Sequence, residues 1–471
     1  MGHIWVASAW KFPCLHDPPQ LQPQLDLIDN ALVSIRPSTA ENLGMPQLAS
    51  LPPEVIRVIR DYIPHNLFWR IKTWKRGQQV EYEESNSESS VIRLTIDCYG
   101  LKEIQKLEDW PEYGRVRSKA CVYSFWAISG AKLSLIHFKF GRAFMERLGQ
   151  FKYDDFWDTP TPPFTMDSFA SPSGGGSKRY RTIDLQNITG LTFFYLRGML
   201  VAVHPHTAGF PTAAPAIQHL PPKDRDYLIW AYVPLSNTDA LLRIGVRDTV
   251  ILRRPTFVNP TMLISTKLAG DFTIGPKSRG TDGQRVSGNQ PSVFIHHIPS
   301  EQGVGTFGAV SATNSWKDPR PSYPRLLSVH RGPPYYDPVF TGAPVKNVVH
   351  VDIYHSPNDG YCKGLLLRYR NGAQRALGQC RIVIDPFKPY AEPSWICYYN
   401  FHDPGTLKNT GNCMVECTAG SNNHVHEPLE FGHWACFPMV GHFDFACDHE
   451  TANIAILPPR NEVDEEVFTL L

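Results

Sequence analysis

Potential metal ligands crowd one late stretch of this 471-residue chain: Cys413-x3-Cys417, His424-x-His426, Cys436, His442 and Cys447-x-His449. Thiolates and imidazoles are the donors that a tetrahedral zinc site uses. The stretch lacks a Cys-x-x-Cys pair, however, and its flanks, MVECTAG and HWACFPMVGHFDFAC, read as apolar strands. In such strands cysteine serves as a small buried hydrophobe. The expectation is of core or edge thiols and no cofactor. A zinc-stabilised C-terminal domain is the alternative, with Cys413, Cys417, His424 and His426 as the residues that would carry it.

Other chemistries find less to work with. His424-Val425-His426, followed by Glu430 and Gly432, resembles the first metal motif of a cupin, but the upstream glycine and a second histidine motif are missing. His204-Pro205-His206 places two imidazoles at alternate positions, which share a face of an extended chain, and such pairs more often close a turn through hydrogen bonds. Gly303-x-Gly305-x-x-Gly308 has the letters of a dinucleotide fingerprint without the strand before it or the helix after it, so it reads as a loop. There is no Gly-x-Ser-x-Gly elbow, no phosphate loop and no defensible carboxylate pair. Tyr335, Tyr336, Tyr354, Tyr361 and Trp395 lie in or beside turns, where rings with polar neighbours suit a sugar or peptide or else close the ends of β units. No catalytic residue is expected, and the chain reads as a non-enzyme.

Composition narrows the partners. Lys plus Arg number 46 against 45 for Asp plus Glu, a net charge of +1, so no global field recruits nucleic acid or anionic membrane. No apolar run approaches the ~18 residues of a membrane span. The first residues lack the pattern of a secretory leader, and Val6 stands where an acylation signal wants Ser or Thr. These features predict a soluble protein of the cytoplasm or nucleus, whose ten cysteines stay reduced.

The elements that must position these residues are mostly strands. Forty-one prolines and thirty-four glycines, interleaved with β-branched and aromatic residues, suit many short strands joined by turns. The expected class is α+β, mostly β: a small N-terminal helical segment followed by an antiparallel body with possible repeated hairpin units. Residues 1–48 form an N-terminal extension, 49–78 the helical segment, 79–275 a β-rich region with a loop near 165–180, 276–344 a Pro/Gly-rich connection, and 345–471 a second β-rich region. Residues 91–98 and 119–129 read as strands, and residues 143–148 as a helix.

The helical segment is the strongest amphipathic pattern. Val55, Ile59, Tyr62 and Ile63 recur at helical spacing, Pro52 and Pro53 suit a first turn, and Pro64 ends it. Leu51-Pro52-x-Glu54-Val55, with Ile56, Ile59, Tyr62 and Pro64, resembles an F-box, the module that docks on the adaptor subunit of cullin-type ubiquitin ligases. The usual second leucine-rich helix and Val-x-x-x-Trp ending are compressed here to LFWRIKTW. The resemblance implies docking through Leu51, Pro52, Ile56, Ile59, Tyr62 and Trp69, with Glu54 setting the helix start. It also implies a place in the ubiquitin-conjugation pathway and an unknown target protein.

The body contains an internal similarity. Gly190-Leu191-x3-Tyr195-x2-Gly198 and Gly364-Leu365-x3-Tyr369-x2-Gly372 share one template, each set between strand-like runs, and Asn371-Gly372 is a favoured hairpin turn. Both copies read as hairpins and look like those of jacalin-type lectin blades; coincidence and duplication fit equally. An F-box-like start followed by GLTFFYLRG and GLLLRYRNGAQRALGQ resembles a group of fungal F-box-type proteins with large β-rich C-terminal regions of undefined role. A lectin-like binding module with a vestigial F-box is the alternative reading.

Overall fold

The structure is a computed structural model. It describes residues 47, 50–52, 54–55, 79–80, 91–97, 100–111, 124–129, 135–139, 142–146, 156–163, 167–170, 179–218, 220–236, 238–247, 260–276, 284–297, 306–313, 338–402, 409–420, 424–426, 434–449 and 451–457. Two compact units result, one of Met1–Phe164 with Gly175–Thr182, the other of Thr165–Gly174 with Ile183–Leu471. Among the described residues no helix is long and apolar enough to cross a membrane.

In the smaller unit, Val91–Asp97 lies between Gly100–Leu107 and Ser124–Ser129 in antiparallel pairing. Leu135–Lys139 turns back on Arg142–Glu146, so the expected helix at 143–148 is a strand over its first part. Cross-strand pairing from Leu135↔Glu146 to Lys139↔Arg142 overrides local helix preference there. Near residue 51, Pro52 accepts the Val55 N–H at 3.1 Å and a helix opens at Glu54 and Val55. Ile56, Ile59, Tyr62 and Trp69 lie outside the described residues.

The larger unit is mostly β, with antiparallel sheets. One sheet has seven strands in the order Gln284–Val286, Leu241–Arg247, Thr261–Thr266, Gly270–Pro276, Val339–Pro344, His442–Cys447 and Ala452–Leu457. A three-stranded sheet places Gly190–Leu196 between Met199–His206 and Ile229–Pro234. A four-stranded sheet runs Gln374–Gly378, Cys362–Tyr369, Val348–His355, Phe387–Ala391, and a bridge between Ala231 and Gln379 joins the two.

Alternation builds the core. Leu191, Phe193 and Tyr195 enter one large cluster with Ile264, Ile274, Ile353, Leu365, Phe443 and Phe445, whereas Phe194 turns to the other face. Successive side chains on a strand point to opposite faces, so one strand serves two layers. Phe194 meets Trp230, Leu228 and Ile217, beneath the 3-10 turn Ala214–Ile217.

Both templated segments are hairpins. In the first, Arg197 and Gly198 take positive φ of 51° and 77° between the paired Leu196 and Met199. In the second, Gly372 has φ 88° and Asn371 Oδ1 accepts the Ala373 N–H at 3.0 Å. The template tyrosines are used alike: the fully buried Tyr195 hydroxyl donates toward Pro260 O at 3.1 Å and Ile274 O at 3.2 Å, and Tyr369 donates to Pro344 O at 2.6 Å.

Candidate metal centre

A third small sheet in the larger unit orders Asn409–Thr418, Trp395–His402 and Ala435–Pro438, with Trp395–His402 in the middle. Cys397 stands opposite Glu416 on one side and opposite Cys436 on the other. Directly opposed residues of antiparallel strands share a face, so Glu416, Cys397 and Cys436 make one row across the sheet. Trp395 and Tyr399, two residues either side of Cys397, belong to that face by the period of two.

The histidines come from the connection between the outer strands. His424 Nε2 lies 3.0 Å from Cys397 Sγ and 3.3 Å from Cys436 Sγ. His426 Nε2 lies 3.3 Å from Cys436 Sγ, and its Nδ1 is 3.1 Å from Glu416 Oε2. A carboxylate only accepts, so Nδ1 of His426 carries the proton and its Nε2 turns its lone pair to Cys436 Sγ. Rings hold both imidazoles in place: His426 stacks on Trp434 at 4.3 Å and 12°, Trp434 packs against Tyr399 at 5.9 Å, and His424 lies 6.1 Å from Trp395. One donor atom from each of Cys397, His424, His426 and Cys436 falls within 4.8 Å of every other.

Electrostatically the site is half sheltered. Cys397 is fully buried, and that burial, reinforced by Cys436, raises its thiol well above the ordinary range. The His426 side chain is 11% exposed, and Glu416 reaches solvent at 41%. Two sulfurs and two ring nitrogens are the donor set of a four-coordinate structural zinc site and would fill its coordination sphere.

The remaining sequence candidates lie elsewhere. Cys413 and Cys417 occupy the opposite face of their strand, one residue out of phase with Glu416, and join the core beside Ile396 and Val415. Burial pushes the Cys417 thiol up to about 12, with Glu416 adding to the effect. Cys447 is also a core residue. His442 Nε2 lies 3.2 Å from Asp444 Oδ1, and His449 packs against Tyr227. Glu430 and Gly432 of the cupin-like pattern, and Tyr335 and Tyr336, lie outside the described residues. Tyr354 is buried against Phe387, and Gly308 sits in the strand Phe307–Thr313, opposite Ile295.

Cys397 was not among the sequence candidates. It lies 27 residues before His424, and its only sequence mark is the alternation Trp395, Cys397, Tyr399.

The other histidine pair closes a turn. His206 Nδ1 donates to Pro211 O at 2.7 Å, which leaves Nε2 to accept from the Thr192 hydroxyl at 2.7 Å. Neutral imidazole satisfies both bonds, and burial lowers its pKa, opposed in part by the Pro211 carbonyl. A depressed folded-state pKa contributes stability above the unfolded value of about 6.5, and that contribution is lost as pH falls from there toward the folded value. Denaturant midpoints measured from pH 7.5 to 5 are expected to fall less steeply in His206→Gln than in the wild type. Parallel curves would remove His206 as the cause.

No protein-family model matches the chain, and no curated protein matches it.

Proposed function

We propose that this chain is a receptor-type interaction protein, not an enzyme. Its F-box-like segment docks on the adaptor subunit of a cullin-type ubiquitin ligase, and its β-rich body selects a target protein. Leu51, Pro52, Ile56, Ile59, Tyr62 and Trp69 carry the docking by apolar contact, and Glu54 favours the positive helix end. The ligase supplies the chemistry.

What supports this reading is the Leu51-Pro52-x-Glu54-Val55 pattern of the sequence, where Val55 N–H donates to Pro52 O at 3.1 Å and the apolar Val55 is 40% exposed. A cytoplasmic or nuclear address accords with free thiols at Cys362, Cys380, Cys397, Cys413, Cys417, Cys436 and Cys447.

Co-purification tests the docking. The tagged full chain is expected to recover the adaptor, and a Pro52→Ala, Ile59→Asp double variant to lose at least about tenfold of it, since a charge in an apolar interface costs more than 1.4 kcal/mol. Equal recovery by the two proteins would sink the proposal.

A further inference from the structure

We infer that Cys397, Cys436, His424 and His426 bind one zinc ion as a structural site, with Glu416 as the positioning residue for His426. The inference stands apart from the docking proposal, since it concerns only the β-rich body.

The donor set comes first. Two thiols and two imidazole Nε2 atoms converge from three separate segments, with nitrogen–sulfur separations of 3.0, 3.3 and 3.3 Å. In a zinc tetrahedron with bonds of ~2.0–2.3 Å the donors stand roughly 3.3–3.8 Å apart. These three separations are within a few tenths of an ångström of that spacing, all four donors lie within 4.8 Å of one another, and the His426 Nε2 lone pair already faces Cys436 Sγ. Sulfur with imidazole in a four-cornered set selects zinc over the oxygen-loving cations.

The carboxylate is the second observation. A metal-bound histidine commonly donates its other ring N–H to a carboxylate, which fixes the tautomer and raises ligand basicity. Glu416 does this for His426 from the row that holds both cysteines.

The third is how the His424–His426 segment is held. Val425, between the two ligands, is 95% exposed, so its burial does not fasten this segment to the sheet. The imidazoles and their ring contacts do so, and a metal bond is much stronger than either. Zinc would fasten the connection between Asn409–Thr418 and Ala435–Pro438 onto the face of the sheet.

The test uses the full chain purified without chelator. Elemental analysis is expected to give about one zinc per chain, and replacement by cobalt(II) to give the visible bands of a tetrahedral ion with two thiolate charge-transfer contributions. Cys397→Ser with Cys436→Ser is expected to abolish both signals, whereas Cys413→Ser and Cys417→Ser retain them. Glu416→Gln is expected to retain the ion at saturation with affinity weakened about 10- to 100-fold in competition with a chelator. The cobalt spectrum of the wild type is informative even where a variant fails to fold. A folded protein that takes up neither zinc nor cobalt would overturn the inference. So would a Cys397–Cys436 disulfide in protein isolated under reducing conditions, or zinc retained by the double serine variant.

Discussion

Arg375→Ala is expected to lower the stability of the larger unit by about 3–5 kcal/mol, read as a shift of the denaturant midpoint. Arg375 is 4% exposed on the strand Gln374–Gly378. Its Nη2 donates to Ala269 O at 2.6 Å and to Asp271 O at 3.4 Å, and its Nη1 to Gly342 O at 3.4 Å. The guanidinium also lies over the Phe272 ring, 3.9 Å from its centroid. One side chain thus serves carbonyls from two strands of the seven-stranded sheet and the turn beside them. Alanine would leave buried acceptors unmet and a space the size of the missing side chain, both of them costly.

Burial draws the Arg375 pKa down to about 10, which still leaves it charged at neutral pH. Lysine keeps the charge but has no planar fork, so Arg375→Lys is expected to recover less than half of the loss. Arg370 supplies the contrast, because its pair with Glu392 is open to water at 73% and 69% of the two side chains. Arg370→Ala should cost no more than about 1 kcal/mol. Equal losses at Arg370 and Arg375 would show that the buried fork is unimportant.

Gly378→Ala is expected to cost about 3 kcal/mol, from positive φ and from overpacking together. Gly378 has φ +66°, and an added Cβ would collide with the Phe445 ring and sit 2.6 Å from Lys363 O. Its N–H donates to Thr341 Oγ1 at 2.9 Å, so the backbone is held where the collision occurs. Gly372 separates the two contributions. It has φ +88°, but the nearest atom to a new Cβ is Thr238 Oγ1 at 3.5 Å, an ordinary contact. Gly372→Ala should therefore show the backbone cost alone, about 1 kcal/mol. Thermal or denaturant unfolding of the two variants side by side gives the difference, and equal losses would refute the collision.

How much of this was legible in the chain depends on whether the signal was local. The two hairpins were, because Gly198 and Gly372 supply the positive φ that a tight turn demands. Residues 143–146 were not: their helical look yields to a partner strand at Leu135–Lys139. The passage 276–344 reads as a Pro/Gly-rich connection, yet it holds Asn289–His297, Phe307–Thr313 and Val339–Pro344, and Phe294, Phe307 and Val339 belong to the same core as Leu191 and Ile454. Turn residues are visible in a sequence, but the pairing of strands far apart in it is not.

The metal-type cluster shows the same limit. His424-x-His426 stands out by spacing, and Cys436 follows it in the same Cys/His-rich stretch. Cys397 joins them only because two strand registers place it between Glu416 and Cys436, and a register of that kind leaves no fixed interval to read. Cys413 and Cys417 carry the suggestive spacing, but the period of two turns both away from the histidines.

The strand Val339–Pro344 has Gly270–Pro276 on one side and His442–Cys447 on the other. During synthesis the earlier neighbour emerges well ahead of the later one, so the half-built layer must leave the ribosome with an open margin. Until the strand His442–Cys447 has been made, the greasy side chains around Leu191 have no cover from Phe443 and Phe445. A chain stopped before residue 442 would leave Val339–Pro344 without one of its two partner strands and is expected to stick to its own kind.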